Sequence, residues 1–395
     1  MSTGWLGVAG ARAFGDEERA AVLGVLERRT LYRGGGLEPA REVSLAENEL
    51  ASMLGRRFAL LMSSGTSALL AALVALKLRP GDEVVVPGYG WLTDLSVILH
   101  LGLVPVLAPL RHDLTIDAAH VADCAGERTR ALIAIHACGS PYDAAQLEAA
   151  ALRSGLHVLE DACQGLGCKV HGRPAGALAP VSALSFQAFK LVTSGEGGAL
   201  LTDDPAVYEA ALRFHDAGLS RFAASGAGAL AAALEPAGVG LNLRMGELGA
   251  ALLRVQLRRA PDLVGHLHAA RERLAGVLSE PLTNGALQRV VVAPHASDNG
   301  TFLMLRAAEP SVARVFRDCW AQLGCHARLA SEARLHALPG WLDFLRREQR
   351  PHRVIGLEQT LDTLARTLLL EVNWQLDDAA LDALAAGTRR ALHRL

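Results

Sequence analysis

The feature that most constrains the fold is a regular alternation of short apolar runs and helical patterns, which begins near residue 40 and continues past residue 200. The apolar runs are rich in valine, isoleucine and leucine, as is typical of strands buried on both faces of a sheet. Glycine-containing turns separate these runs from the helical stretches. Strands that alternate with helices predict an α/β domain with a mixed, mostly parallel central sheet.

The predicted elements divide the chain into two parts. In the alternating region, strands are predicted over residues 58–62, 84–86, 104–107, 131–136, 157–160, 181–186 and 199–202, with helices over 47–54, 67–76, 91–101 and 143–153. A stretch of mostly alanine, glycine and leucine at 223–240 is expected to be a mobile connection, followed by strands 290–293 and 301–306 and helices 245–273, 312–323 and 377–392. The predicted domains are therefore a large one over 1–245, including an N-terminal segment, and a smaller α+β one over 246–395.

Composition and charge argue against several classes of protein. The chain has 395 residues, of which 51% are hydrophobic and 20% charged, so it can form two folded domains with substantial cores. A net charge of −2 without a basic cluster argues against nucleic-acid binding. No apolar run approaches the roughly 20 residues that span a bilayer, and the first residues lack the pattern of a secretion signal. A cytoplasmic protein that binds neither nucleic acid nor membrane is expected.

The cysteines show no pattern of a metal site or of a disulfide framework. None of the six forms a C-x-x-C pair, and no H-E-x-x-H motif occurs. Free thiols in a reducing compartment and the absence of a bound metal are therefore expected.

Lysine is rare in this sequence, with three lysines among 39 lysine and arginine residues. Lys190 lies between the predicted strand 181–186 and the glycine-rich turn 195–198, whereas Lys77 and Lys169 have the surroundings of surface residues. A lysine amine can form a Schiff base with an aldehyde, and an arginine guanidinium cannot. Lys190 is therefore a candidate for covalent chemistry; the alternative is a surface lysine in front of a glycine turn.

Three further features lie at the ends of predicted strands. The turn 63–66, Ser-Ser-Gly-Thr, opens a helix whose free N–H groups suit a phosphate, although an ordinary strand–helix turn has the same form. Asp161 follows the strand 157–160, where it could pair with a protonated ring nitrogen or cap a helix. The ring of Trp91 could stack on a flat cofactor or pack in the core. Together with Lys190, these features supply what pyridoxal phosphate needs.

The chain resembles the DegT–DnrJ–StrS family of sugar and cyclitol aminotransferases, which are fold-type-I pyridoxal phosphate enzymes, from about residue 45 to residue 257. The resemblance implies a large cofactor-binding domain followed by a smaller one. In chain order, the stretches that carry it are Ser64-Gly-Thr-Ser-Ala-Leu-Leu, Pro80-Gly-Asp-Glu-Val-Val-Val-Pro87, Gly102-Leu-Val-Pro-Val106, Glu160-Asp-Ala-Cys-Gln164, Ser185-Phe186 with Lys190, Gly195-Glu-Gly-Gly198 and Asn242-Leu-Arg-Met245.

The resemblance assigns roles to residues around the cofactor's ring. Lys190 would form the Schiff base with the cofactor's aldehyde and act as the catalytic base, and Asp161 would bind the pyridine nitrogen. Gln164 would contact the ring or its phenolic oxygen, and Trp91 would stack on the ring.

The resemblance also implies a phosphate site and a dimer. Gly65, Thr66 and Ser185 would hold the phosphate of the cofactor. Asn242 would reach the phosphate of the cofactor bound by the neighbouring subunit. A homodimer with shared active sites is therefore expected.

The reaction implied by the resemblance is transfer of an amino group from glutamate or glutamine to a keto-sugar or keto-cyclitol. Such a step belongs to natural-product biosynthesis of the aminoglycoside or amino-sugar type. His136 and Gln187 are candidate substrate contacts, with a packed or solvated side chain as the alternative for each. Two other hypotheses stay open at this point. The first is another pyridoxal phosphate reaction, namely elimination, decarboxylation or carbon–carbon bond formation. The second is a non-catalytic protein that binds the cofactor for regulation.

Overall fold

The computed structural model describes residues 10, 13–33, 41–219, 237–373 and 375–395, so most of the predicted connection 223–240 lies outside the described residues. The helices are α1 Asp16–Arg28, α2 Glu42–Leu54, α3 Gly65–Ala75, α4 Leu92–His100, α5 Val121–Cys124, α6 Ala144–Arg153, α7 Pro205–His215, α8 Glu247–Val277, α9 Ser279–Thr283, α10 Pro310–Ala321, α11 Leu338–Arg347, α12 Leu357–Arg366 and α13 Asp378–Leu392. The strands are β1 Phe58–Met62, β2 Glu83–Pro87, β3 Val104–Ala108, β4 Thr129–Ile135, β5 His157–Asp161, β6 Lys169–Val170, β7 Arg173–Pro174, β8 Val181–Ser185, β9 Gly198–Thr202, β10 Leu287–Arg289, β11 Ala296–Ser297, β12 Phe302–Ala307, β13 Ala327–Leu329, β14 Arg353–Val354 and β15 Thr367–Glu371.

A mixed, mostly parallel sheet forms the centre of the molecule, which confirms the predicted fold class. Its strand order is β1-β9-β8-β5-β4-β2-β3-β14. Strand β9 runs antiparallel to both β1 and β8, whereas the neighbours from β8 to β14 pair in parallel. The carboxyl ends of β2, β4, β5 and β8 therefore meet at one edge, where open α/β sheets bind their ligands.

The apolar segments form a sheet because helices cover both of its faces and keep the strands buried. The residues of β2 are all buried, as expected of a strand covered on both faces. Helix α3 is buried over most of its surface because it packs against α4, α7, β8 and β9. Its first turn is capped by the Ser64 hydroxyl, which accepts a hydrogen bond from the N–H of Ser67 at 3.0 Å. The start of α3 is therefore fixed beside the carboxyl edge of the sheet.

A second, antiparallel sheet has the order β10-β12-β15-β13 and presents two different faces. On one face, Leu305 and Leu368 pack into the core that contains helices α8, α10 and α13. On the other face, Met304 and Leu369 pack into the core of the central sheet. Side chains alternate between faces along a strand, so the Met304 face is turned toward the large domain.

The long helix α8 joins the two sheets and packs along α1, α2 and α13. Its first residue, Glu247, is buried, and its carboxylate accepts hydrogen bonds from the N–H groups of Glu42 at 2.7 Å and Val43 at 3.1 Å. This carboxylate satisfies donors at the start of α2 that have no partner inside the helix. The strand β14 returns from the C-terminal half to pair with β3 in the central sheet. The domain division at residue 245 stays a prediction.

Most predicted elements lie within a few residues of the observed ones, but the predicted strand at 290–293 is wrong. Strand β10 ends at Arg289, and Val291 is 64% exposed. The run 290–293 is apolar, but the chain leaves the sheet edge there, and Pro294 cannot donate to a ladder. Helices α1, α7, α11 and α12 and strand β15 lie outside the elements predicted from the sequence.

The described residues form no membrane-spanning helix, no disulfide and no cluster of potential metal ligands. Among the described helices, none has both the length and the apolar character that a bilayer crossing requires. The six cysteines are free. Within the described ranges, no three His, Cys, Asp or Glu residues come together as a possible metal site. The polar side chains that could act chemically gather at the carboxyl edge of the central sheet.

Candidate active site

A cavity of about 340 Å³ lies between the carboxyl edge of the central sheet and the second sheet. Its lining from the central sheet includes Lys190, Ser185 and Gln164, three residues that the sequence singled out. The opposite wall includes Arg328 and Glu371 from the second sheet. A cavity of this size suits a small ligand, and its polar groups converge from both sides.

Lys190 lies in a short loop after β8 that the backbone holds in place. Its N–H donates to the carbonyl of Gln187 at 2.9 Å. Further along, the N–H of Ser194 and the hydroxyl of Thr193 both donate to the carbonyl of Phe186, whose ring is fully buried. These bonds hold the loop against the sheet, so the half-buried side chain of Lys190 meets the cavity in a defined position.

Close packing around Gly65 creates a niche at the start of α3. A Cβ atom at Gly65 would lie 2.8 Å from the Sγ of Cys163 and 2.9 Å from the Cβ of Ser185. One at Gly198, on β9, would lie 2.3 Å from the backbone of Ser64. Both positions therefore require glycine for space. The N–H groups of Gly65 and the exposed Thr66 form no hydrogen bond with the described residues, so they remain available to an anion.

Asp161 ends β5 and is held by its own turn. Its side chain is 3% exposed, and its Oδ1 accepts a hydrogen bond from the N–H of Cys163 at 2.8 Å. Gln164 is anchored in the same turn, because its Oε1 accepts from the N–H of Cys138 at 3.2 Å. Cys163 and Gln164 of this turn line the cavity, whereas Asp161, two residues before Cys163, does not.

A second carboxyl group, which the sequence does not indicate, lies beside Asp161. Asp94 is fully buried in the first turn of α4, and its Oδ2 accepts a hydrogen bond from the N–H of Trp91 at 3.0 Å. Burial raises the pKa of Asp94 well above its usual range, and the adjacent Asp161, within hydrogen-bonding reach, raises it further. Burial and the neighbouring Asp161 carboxylate therefore both favour the protonated form of Asp94. The Trp91–Asp94 spacing signals a helix cap, but nothing local indicates contact with a strand two places away in the sheet.

Glu160 and His136 form a buried pair behind the cavity. The Nε2 of His136 lies 2.8 Å from the Oε1 of Glu160, and both side chains are fully buried. Glu160 also accepts from the N–H groups of Gly176 and Leu178 and from the hydroxyl of Ser182. Burial acts to raise the pKa of Glu160, but these bonds outweigh it and hold the pKa below its usual range.

The two candidate substrate contacts lie outside the cavity lining. His136 is fully buried, and its Nδ1 has no hydrogen-bond partner within the described part of the chain. The side-chain oxygen of Gln187 accepts from the N–H of Phe189 at 2.8 Å. These contacts favour the packing alternative for both residues, because the groups that would meet a substrate are enclosed or already bonded.

His336 lines the cavity, and Trp91, at the start of α4, packs beside it without being part of the lining. The Trp91 ring is 43% exposed and lies 4.8 Å from the ring of His336. The Nδ1–H of His336 donates to the carbonyl of Gly90 at 2.7 Å. Burial, followed by the positive charge of Arg328, lowers the pKa of His336 to about 4, so the ring is neutral at neutral pH. Asn242 is exposed, pairs with Asp216 through an isolated bridge and does not line this cavity.

The sequence model of the DegT/DnrJ/EryC1/StrS aminotransferase family matches residues 14–384. The chain belongs to this aminotransferase family. The prediction of an aminotransferase is confirmed, and the aminotransferases of this family use pyridoxal phosphate.

Solved structures share the fold of this aminotransferase along almost its whole length. An aminotransferase from Psychrobacter cryohalolentis is 24% identical, covers 97% of this chain and 98% of that chain, and gives a TM-score of 0.83. DesV from S. venezuelae is 26% identical over 95% of this chain and 94% of that chain, with a TM-score of 0.78. PseC from Helicobacter pylori is 20% identical over 100% of both chains, with a TM-score of 0.83.

Proposed function

We propose that this aminotransferase binds pyridoxal phosphate at the carboxyl edge of its central sheet, with Lys190 as the residue that forms the Schiff base with its aldehyde. The observation that carries the proposal is the convergence of Lys190, Ser185 and Gln164 on one cavity. The niche at Gly65 supports it, because the two free N–H groups there suit the phosphate. When bound, the cofactor withdraws the electrons released at the carbon that carries the amino group.

The side chains at the sheet edge would divide the work between binding and proton transfer. Asp161 would hold the protonated ring nitrogen with the carboxylate oxygen that Cys163 does not occupy. Gln164 would contact the ring or its phenolic oxygen, and Trp91 would stack on the ring. The Nζ of Lys190, once displaced by the amino donor, would take the proton from the donor's α-carbon.

The phosphate and the subunit contact form the second part of the proposal. Gly65, Thr66 and Ser185 would hold the phosphate at the start of α3, where the helix dipole favours an anion. Asn242 would reach the cofactor of a second subunit, which its exposed position outside this chain's cavity supports.

A homodimer is supported by apolar side chains that α1 leaves on the surface. Leu23 is 55% exposed and Leu26 is 47% exposed. Neighbouring apolar side chains on a surface are typical of an interface. A monomer mass for the holoenzyme in light scattering would contradict this part of the proposal.

The proposed substrates are glutamate or glutamine as the donor and a keto-sugar or keto-cyclitol as the acceptor, in a cytoplasmic natural-product pathway of the aminoglycoside or amino-sugar type. PseC, which shares the fold, is an aminotransferase involved in the biosynthesis of pseudoaminic acid. The cavity's mixture of charged and polar groups suits a small polar ligand of this kind. Six free cysteines fit a reducing compartment.

An absorbance titration of the holoenzyme tests the function in two steps. Glutamate or glutamine should convert the bound cofactor to its amino form, with loss of the visible band. Keto-sugars and keto-cyclitols, added one at a time after removal of the donor, should restore that band for the true acceptor. If no amine donor changes the spectrum, transamination is excluded; if only other classes of ketone restore it, the proposed acceptor is wrong.

A further inference from the structure

One buried carboxyl group beside the proposed cofactor site has no role in the proposed function. Asp94 lies in the first turn of α4, and its side chain is fully buried. Its Oδ2 accepts a hydrogen bond from the N–H of Trp91 at 3.0 Å. Its Oδ1 is buried as well and receives no hydrogen bond from the described residues. Because a buried carboxylate oxygen without a donor is unfavourable, capping of α4 does not account for the whole group.

Close packing places Asp94 over the ends of two strands of the central sheet. A Cβ atom at Gly90 would lie 2.9 Å from the Oδ2 of Asp94 and 2.5 Å from the Cδ1 of Ile135, so glycine at this position leaves room for both side chains. Ile135 ends β4 and is paired in register with Asp161 at the end of β5. Asp94 and Asp161 therefore lie at the same place on the carboxyl edge.

The carboxyl groups of Asp94 and Asp161 meet at this place. They lie within hydrogen-bonding reach of each other, and both are shielded from water, with Asp161 only 3% exposed. Two ionised carboxylates in such a contact repel each other strongly. One proton between them converts the repulsion into a charge-assisted hydrogen bond. The contact therefore requires that one of the two groups is protonated.

The surroundings favour Asp94 as the group that carries the proton. Burial raises the pKa of Asp94 well above its usual range, and the charge of Asp161 adds to the rise. The N–H of Trp91 and the charge of Lys190 oppose the rise without reversing it. Asp161 also accepts a hydrogen bond from the N–H of Cys163 at 2.8 Å, which favours its charged form. Asp94 is therefore the donor and Asp161 the acceptor.

We propose that Asp94 is a positioning residue that donates a hydrogen bond to Asp161, and that this bond keeps Asp161 charged and oriented so that the ring nitrogen of the cofactor stays protonated. This inference rests on the proposed function, because it requires Asp161 to bind that nitrogen. A protonated ring is the stronger electron acceptor. Asp94 does not line the cavity, so it acts through Asp161.

The test measures the protonation of the ring nitrogen by nitrogen NMR of the holoenzyme, loaded with pyridoxal phosphate that is isotopically labelled at this atom. Asp94→Asn keeps an acceptor for the N–H of Trp91 and a donor for Asp161, so its signal should match the wild type. Asp94→Leu has a similar shape but no donor, and its signal should shift toward that of an unprotonated ring. Conversion of the cofactor by the amino donor should slow about 10-fold in Asp94→Leu, as expected when a charged group loses a hydrogen bond, and recover in Asp94→Asn. Asp94→Ala repeats the measurement should Asp94→Leu fail to bind the cofactor.

Control variants distinguish this role from a structural one. Trp91→Ala removes the ring beside the cap of α4 and should leave the nitrogen protonated; the same shift as in Asp94→Leu would mean that the effect arises from Trp91, and would overturn the inference. A wild-type signal in Asp94→Leu and Asp94→Ala, or a shift in Asp94→Asn as large as theirs, would overturn it as well.

A separate variant tests the proposed function on which the inference rests. Asp161→Ala should abolish the signal of the protonated nitrogen. An unchanged signal in this variant would refute Asp161 as the partner of the ring nitrogen, whatever the Asp94 variants show. A changed signal in Asp161→Ala with none in the Asp94 variants would leave the proposed function intact and refute the role of Asp94 alone.

Discussion

The two walls of the cavity are built in different ways. On the central-sheet wall, the turn of Asp161 and the loop of Lys190 are held by backbone hydrogen bonds at the ends of parallel strands. On the second-sheet wall, Arg328 and Glu371 are partly buried charged groups without an ion pair between them. The polar groups of the central-sheet wall are therefore held in place without a ligand. The charged groups of the second-sheet wall have no ion pair with each other, so a ligand can pair with them.

This difference indicates that the central-sheet wall holds the reacting groups, whereas the second-sheet wall recognises the substrate. Groups that must hold a reactive atom need fixed geometry, and fully bonded turns supply it. Groups that recognise a substrate gain discrimination when the wrong substrate leaves them unpaired. Substitutions on the central-sheet wall should therefore damage the whole reaction or the fold, and substitutions on the second-sheet wall should change substrate requirements at little cost in stability.

Loss of the Lys190 amine should have the largest effect. Lys190→Ala should reduce amino transfer by at least about 1000-fold with every donor, because both the covalent link and the proton carrier disappear. The measurement is the steady-state rate together with the visible absorbance of the bound cofactor. Lys169→Ala, at an exposed lysine on β6, is the control and should leave both unchanged. An intact visible band in Lys190→Ala would show that another residue carries the aldehyde.

Neutralising Glu160 should cost the most stability. Glu160→Gln should lower the free energy of unfolding by about 3 kcal/mol at pH 7, because His136 and three backbone donors lose a charged acceptor. The pKa of Glu160 is lowered by folding, so its contribution is present above the usual glutamate pKa and is lost as pH falls through the lower folded value. Urea unfolding at pH 7 and below pH 4 should show the difference shrink; a difference that grows in acid would contradict this assignment.

The comparison of the two walls also explains which site residues can be predicted from the sequence. Asp161 and Lys190 stand next to strand ends within single continuous motifs, so their approach follows from the topology of a parallel sheet. Arg328 and Glu371 come from short antiparallel strands whose pairing depends on long-range register. The strand that carries Glu371 was not predicted at all. Asp94 is not predicted for a related reason: it lies in helix α4, which follows β2, and its contact with Asp161 at the end of β5 reaches across β4.

Filling the niche at Gly65 should weaken cofactor binding more than it weakens the fold. In Gly65→Ala the added Cβ would meet Cys163 and Ser185 at less than 3.0 Å, which displaces the phosphate donors at the start of α3. We expect about a 10- to 100-fold loss of affinity for pyridoxal phosphate, of the size expected when a charged hydrogen-bonded contact is lost. Equilibrium dialysis of the cofactor-free protein measures it. Gly276→Ala, with open space around the position in α8, is the matched control. Unchanged affinity in Gly65→Ala would place the phosphate elsewhere.

Neutralising Glu371 should have the smallest effect and the opposite sign to Glu160. Folding raises the pKa of Glu371, so its contribution is present below the usual glutamate pKa and is lost as pH rises through the higher folded value. Glu371→Gln should therefore be as stable as the wild type at pH 7 or more stable, by on the order of 1 kcal/mol for each unit of the rise, with no gain near pH 4. The same urea series that tests Glu160 measures this variant. If Glu371→Gln loses stability at pH 7 as Glu160→Gln does, the second-sheet wall is held by its own charges and is not waiting for a ligand.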